Sequence, residues 1–130
     1  MNRPTTIKQF REKYGADALR MEEDFTLLVD ENLNALTTDP EMQQREFFAF
    51  SHQEYFFQFT DYLSAIGKYD KMYFVVTPFA QYYAYSECGR QNIIKHLSKY
   101  ADDLQARADK LRRIVKEASL TNSRIVGVMV

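Results

Sequence analysis

An apolar stripe near the C-terminus constrains the fold more than any other feature, because its members recur at alternating intervals of three and four residues. The stripe consists of Ile94, Leu97, Ala101, Leu104, Ala108, Leu111, Val115 and Ala118. Residues at these intervals lie on one face of an α-helix, and chance rarely sustains the pattern over more than three heptads. The sequence therefore predicts a long helix whose stripe is buried as core. The alternation of Ala with Leu favours a close antiparallel neighbour.

The N-terminal part of the chain carries signals for two further helices. Thr6 and Gln9 form a capping-box pattern, which predicts a short helix within residues 1–16. Asp17 can cap a second helix, whose apolar residues recur at helical spacing as far as Leu36.

A third helix is predicted from Pro40 to about Ile66, because Asp39 suits the N-cap and Pro40 the first helical position. Its seam toward a neighbouring helix would consist of Phe48, His52, Tyr55, Phe59, Tyr62 and Ile66. At about 100° per residue, Phe50 and Phe57 would point away from that seam.

The segment from Asp70 to Cys88 allows two interpretations because of Pro78, which removes a backbone donor inside a helix. We favour a helix that is kinked or broken at the proline. Alternatively, Thr77 and Pro78 begin a helix, and Met72 to Val76 is a short strand.

These elements predict an all-α fold, an antiparallel bundle of four or five helices, in one domain of residues 1–130. Residues 119–130 are predicted to form a short, β-like C-terminal tail, because Ile125 to Val130 is an apolar run. Such a run promotes aggregation when it is exposed. We therefore expect the tail to dock in a groove, to pair with another strand or to reach a second subunit.

Charge and cysteine content limit the classes of function. A net charge of −1 gives no field that would attract nucleic acid, so a nucleic-acid partner is disfavoured. The single Cys88 cannot form an internal disulfide, which fits a reducing compartment. No apolar segment approaches the roughly 20 residues that cross a bilayer, and the N-terminus lacks the apolar stretch of a signal peptide. These features predict a cytoplasmic protein without a membrane partner.

Metal, cofactor and nucleophile motifs are not evident in the sequence. Neither His52 nor His96 follows a Glu by three residues, as it would in ferritin-like di-iron bundles. The four glycines are isolated, so no phosphate-binding loop is expected. Cys88 is interpreted as a small buried thiol at a helix end. We therefore predict no cofactor, no metal site and no catalytic activity.

One alternative function is nevertheless suggested by Arg90 and His96. The segment Arg90-Gln-Asn-Ile-Ile-Lys-His96 resembles the Arg-x(4–6)-His motif of HEPN-family ribonucleases, small helical proteins that usually cleave RNA without metal at a dimer cleft. The resemblance implies that Arg90 stabilises phosphate charge and that His96 transfers protons. Arg45 and His52 satisfy the same spacing. The simpler interpretation of Arg90 and His96 is an ordinary pair near a helix start.

The aromatic residues carry the main functional signal, because fifteen of the nineteen Phe and Tyr residues lie between Phe47 and Tyr85. If the third helix is buried on both sides, Phe50 and Phe57 are core. Otherwise Phe50, Phe57, Phe74 and Tyr85 form an exposed apolar face, as interaction sites do. The sequence thus predicts a small non-enzymatic interaction module, a regulator, inhibitor or adaptor, that binds a partner protein or forms a homodimer through this face.

Overall fold

The computed structural model of the chain describes residues 3–120, which are mainly helical, as the sequence predicts. The helices are α1 (Ile7–Tyr14), α2 (Ala18–Thr38), α3 (Pro40–Arg45), α4 (Gln53–Ala65) and α5 (Glu87–Leu120). The strands are β1 (Phe47–Phe50), β2 (Tyr73–Val76) and β3 (Gln81–Ala84). The prediction of an all-α fold is therefore wrong in one respect, because the chain contains an antiparallel sheet. The bundle arrangement and the single domain of residues 1–130 stay predictions.

The chain divides into two compact units. The first unit extends to Ile93 and includes the sheet, α1 to α4 and the first two turns of α5. The second unit begins at Ile94, and its described part is the remainder of α5. From residue 121 onward, the predicted C-terminal tail lies outside the described residues.

The predicted helix caps at Thr6 and Asp39 are confirmed, whereas Asp17 precedes α2 without a capping hydrogen bond from its side chain. The Thr6 hydroxyl accepts a hydrogen bond from the backbone N–H of Gln9 at 3.2 Å, which caps α1. Gly15 ends this helix with a φ of 60°, a conformation that glycine adopts without strain. The Asp39 carboxylate likewise accepts from the backbone N–H of Glu41 at 2.9 Å and begins α3.

The predicted continuous helix from Pro40 to Ile66 is wrong. The chain leaves the helical conformation after Arg45, because Glu46 adopts a left-handed conformation with φ of 58°. Strand β1 follows, and α4 begins only at Gln53. The run Phe47–Phe50 has a composition that favours strands, and pairing with β3 decides in favour of one. Consequently Phe50 lies on β1 and Phe57 on α4, so the two residues do not share a helix face.

The interpretation of a kinked helix around Pro78 is also wrong. Residues 73–76 form β2, as the alternative interpretation held, but no helix begins at Thr77. Instead, Thr77 stabilises the turn of a β-hairpin. Its hydroxyl accepts from the backbone N–H groups of Phe79 and Ala80 and donates to the Ala80 carbonyl at 2.6 Å.

The sheet has the strand order β1-β3-β2, so β3 is central and its four residues are all buried. Phe48 on β1 and Phe74 on β2 both pair with Tyr83 on β3. This aromatic row packs against α4, where Phe59 lies 5.1 Å from the Tyr83 ring centre. The concentration of aromatics between Phe47 and Tyr85 is therefore largely the core between the sheet and α4.

The first two turns of α5 pack at one end of the opposite face of the sheet. Gly89 approaches the backbone of Glu46 and the side chain of Ala84 so closely that a Cβ atom there would clash with both. Ile93, one turn further, is fully buried. Ala49 and Tyr73 on the same face remain exposed, so α5 covers this face only in part.

Beyond Ile93, the apolar stripe of α5 is not buried as the sequence predicts. Of its large members, Ile94, Leu104, Leu111 and Val115 are exposed and Leu97 is half-buried. The intervals of three and four residues identify the face of the helix correctly. They do not indicate whether that face is covered within the same chain.

Candidate functional site

A groove with a volume of about 630 Å³ lies on the first unit between α1, α4 and β2. Its apolar wall consists of Phe56, Phe57, Tyr69, Phe74 and Val76. Its polar lining comprises Arg3, Lys13, Tyr14, Gln53, Glu54, Gln58, Thr60 and Asp61. The groove therefore combines an aromatic wall with charges of both signs.

The groove contains a buried charged residue, Asp61. The residue is 7% exposed, and its Oδ2 atom accepts hydrogen bonds from Lys13 Nζ at 2.6 Å and from the Tyr14 hydroxyl at 2.5 Å. A carboxylate is costly to bury without such charge-assisted partners. Burial, and then the bond to Asp61, raise the pKa of Tyr14 well above its usual value, so the hydroxyl remains a donor. The three side chains tie α1 to α4.

We expect that replacing Asp61 by Ala will lower the free energy of unfolding by about 1.5–3 kcal/mol, because hydrogen bonds to charged groups contribute on this order. The measurement is urea denaturation followed by circular dichroism. Asp30→Ala is the control, since this carboxylate lies exposed on α2 and its loss should change stability by no more than about 0.5 kcal/mol. Equal effects of the two substitutions would contradict a structural role of Asp61.

The rim of the groove exposes apolar surface. The Phe57 side chain is 43% exposed and Val76 is 49% exposed. Behind them, the Phe56 ring makes edge contacts with Phe57 and Phe74, in both cases with 5.9 Å between ring centres. Phe57 therefore packs on Phe56 on its inner side and leaves its outer surface exposed.

A cation lies beside this aromatic surface. The Arg3 guanidinium carbon lies 3.7 Å from the centre of the Tyr69 ring, which is a cation–π contact. Within residues 3–120, Arg3 forms no ion pair. A guanidinium stacked on a ring keeps its in-plane N–H donors available for a carboxylate.

The structure separates the four predicted contact residues into two groups. Phe57 and Phe74 both line the groove. Phe50 and Tyr85 instead belong to the ring cluster around Tyr83, where they are half-buried. That all four residues contact a partner stays a prediction, and only Phe57 and Phe74 share a concave surface.

Several groove residues were not predicted from the sequence. Arg3, Lys13, Tyr69 and Val76 come from segments that are far apart in the chain. No regular interval in the sequence relates these residues to one another. The one available signal was the alternative interpretation of residues 72–76 as a strand, which places Phe74 and Val76 on the same side of β2.

Arg90, at the start of α5, forms an ion pair with Glu87. Its Nη2 atom lies 2.6 Å from Glu87 Oε1, and its Nε atom lies 2.9 Å from Oε2. This hydrogen bonding lowers the pKa of Glu87 to about 2. His96 lies six residues further along the chain and belongs to the second unit, whereas Arg90 belongs to the first. The ribonuclease site at Arg90 and His96 stays a prediction, and it would require Arg90 to exchange Glu87 for a phosphate.

Cys88 is exposed in the first turn of α5, so its interpretation as a buried thiol is wrong.

Neither a metal-binding cluster nor a membrane-spanning helix occurs among residues 3–120. Among residues 3–120, no three His, Cys, Asp or Glu side chains are grouped as metal ligands would be. The helices in this part of the chain are not long and apolar enough to span a membrane.

Comparisons of the chain with protein-family models, with curated proteins and with solved structures found no match.

Proposed function

We propose that this chain is a small non-enzymatic interaction module, a regulator, inhibitor or adaptor, that binds a segment of a partner protein in the groove between α1, α4 and β2. The observation that carries the proposal is the exposed aromatic rim at Phe57 above a rigid layer of buried rings. Exposed apolar surface of this kind has a cost in water and typically marks an interaction site.

A binding role fits the groove better than a catalytic role. The Oδ2 atom of the buried Asp61 carboxylate accepts hydrogen bonds from Lys13 and Tyr14, which favours a structural role for this residue over that of a general base. The raised pKa of Tyr14 makes its hydroxyl a poor source of protons. These groups stabilise the groove, and the surface left for a ligand is the aromatic rim and the Arg3 guanidinium.

The sheet edge suggests the form of the ligand. In the described sheet β2 pairs with β3 alone, so its outer backbone groups can pair with an added strand. A segment that pairs with β2 places alternate side chains on one side, where Phe57 and Phe74 line the groove. The expected ligand is therefore an extended segment with a large apolar side chain and an acidic residue that reaches Arg3.

The test begins with selection of peptides from a random displayed library against the full-length chain. We expect the enriched peptides to combine an aromatic or large aliphatic residue with Asp or Glu. Phe57→Glu should weaken their binding at least about 30-fold in fluorescence anisotropy, because truncation of an interface hot spot costs 2 kcal/mol or more. The control is Leu19→Glu, which adds the same charge to an exposed residue of α2 that does not line the groove. Equal binding to the two variants, or a failure to enrich any peptide, would overturn the proposal.

The charge of Arg3 provides an independent check on the orientation of the peptide. Arg3→Glu should weaken binding of the acidic peptides. Exchange of the peptide's acidic residue for Lys should restore binding to this variant and not to the wild type. Lack of such restoration would show that Arg3 does not contact the acidic residue.

A further inference from the structure

We propose that residues 94–118 of α5 pair with the same residues of a second copy as a symmetric antiparallel coiled coil. The proposal starts from the stripe that the described structure leaves exposed. Ile94 is 43% exposed, Leu104 39%, Leu111 43% and Val115 63%. At a rise of about 1.5 Å per residue, the stripe is about 36 Å long. None of its residues lines the groove, so this inference does not depend on the proposed function.

The sizes of the stripe residues identify the occupant as a second copy in antiparallel orientation. With the two-fold axis level with Ala106, facing pairs are Ile94 with Ala118, Leu97 with Val115, Ala101 with Leu111, and Leu104 with Ala108. Each Ala of the stripe then faces Ile or Leu, so the layers have similar volumes and can fill the space between the helices. All eight stripe positions are matched by this single register.

A parallel dimer would pack the same stripe poorly. Ala101 would face Ala101 of the second copy, and Ala108 would face Ala108, while the Leu layers between them hold the helices apart. The Ala layers would then leave voids, and such voids reduce stability. A foreign helix would have to supply the complementary order of sizes, which the chain already contains in its own reversed stripe.

The charges beside the stripe favour the same orientation. In a parallel dimer, Arg107 would approach Arg112 of the second copy on both sides of the interface. In the antiparallel register, Arg107 lies nearly level with Asp103 of the second copy on one flank. Arg112 lies nearly level with Asp102 on the other flank. The two Arg107 residues also approach each other at the axis, where the two Asp103 carboxylates offset their repulsion.

The orientation can be tested by disulfide cross-linking of the full-length chain in a Cys88→Ser background. Leu104→Cys and Ala108→Cys chains, with tags of different mass, are mixed and oxidised. We expect the disulfide-linked product to be mainly the mixed dimer of Leu104→Cys with Ala108→Cys. Predominant cross-linking of Leu104→Cys with itself would show a parallel dimer and overturn the proposal.

Light scattering with two matched substitutions tests whether the stripe forms the dimer interface. Leu104→Glu should increase the dissociation constant of the dimer at least about 10-fold, because a charge would enter an apolar layer. Ala106→Glu, two residues further, lies on the outer face of the helix and should leave the dimer unchanged. Circular dichroism checks that both variants remain folded. A monomeric wild type would overturn the proposal, and so would a folded Leu104→Glu variant that remains a dimer.

Discussion

Replacing Phe59 by Ala should lower the free energy of unfolding by about 3–5 kcal/mol, the usual range for loss of a buried Phe ring. The Phe59 side chain is fully buried. Its ring centre lies 5.6 Å from Phe25 on α2, 5.2 Å from Phe50 on β1 and 5.1 Å from Tyr83 on β3. Its removal leaves a cavity where two helices meet the sheet, and the rigid rings around it can fill that space only in part.

The free energy of unfolding of Phe59→Ala is measured by urea denaturation at equilibrium. Its dependence on urea concentration should have the same slope as that of the wild type. Leu27→Ala is the control, because Leu27 is 60% exposed on α2 and its truncation should cost no more than about 0.5 kcal/mol. A loss below about 1 kcal/mol for Phe59→Ala would mean that the sheet and α4 do not pack through this ring.

Replacing Gly89 by Ala should destabilise the protein by about 1–3 kcal/mol or more, as overpacking does. A Cβ atom at this position would lie 2.1 Å from the Glu46 carbonyl oxygen and 2.7 Å from the Ala84 Cβ. Neither neighbour can move aside easily, because one belongs to the backbone before β1 and the other to the central strand. The start of α5 would therefore have to move away from the sheet.

The direction of the Gly89→Ala effect on stability distinguishes the close contact from the helix propensity of the new residue. Ala is the better helix former, so helix propensity alone would stabilise α5 by up to about 1 kcal/mol. A destabilised variant in urea denaturation would show that α5 packs closely on the sheet. Lys95→Ala is the control for propensity, since Lys95 is exposed on the same helix and the change should be nearly neutral. A stabilised Gly89→Ala variant would contradict the close contact.

Features that depend on a few neighbouring residues could be predicted from the sequence. The capping of α1 by Thr6 and of α3 by Asp39 requires contacts over two or three residues, and both contacts are present. Two residues of the groove's aromatic wall were also predicted, since Phe57 and Phe74 were among the candidate contact residues. Their common location could not be predicted, because it depends on how β2 and α4 pack.

Features that depend on distant residues could not be predicted in this way. The spacing of Phe48, Tyr55 and Phe59 fits a helix, yet Phe48 lies in a strand because it pairs with Tyr83. Phe48 and Tyr83 are far apart in the sequence, and their pairing produces no periodic pattern in either segment. The polar lining of the groove is equally non-local, because Lys13 and Asp61 meet only when α1 packs on α4.

The sequence by itself determined the mainly helical character of the chain, the helix caps at Thr6 and Asp39 and the apolar face of α5, because backbone propensities and side-chain periodicity act over one or two turns. The tertiary structure alone decided that residues 47–50 form a strand, and it decided between the helix and the strand that the sequence allowed after Met72. It also decided that the groove forms around Asp61, and that Leu104 and its neighbours in the stripe remain exposed. Periodicity specifies that a helix face needs a partner, whereas burial depends on which surfaces the rest of the chain brings to it.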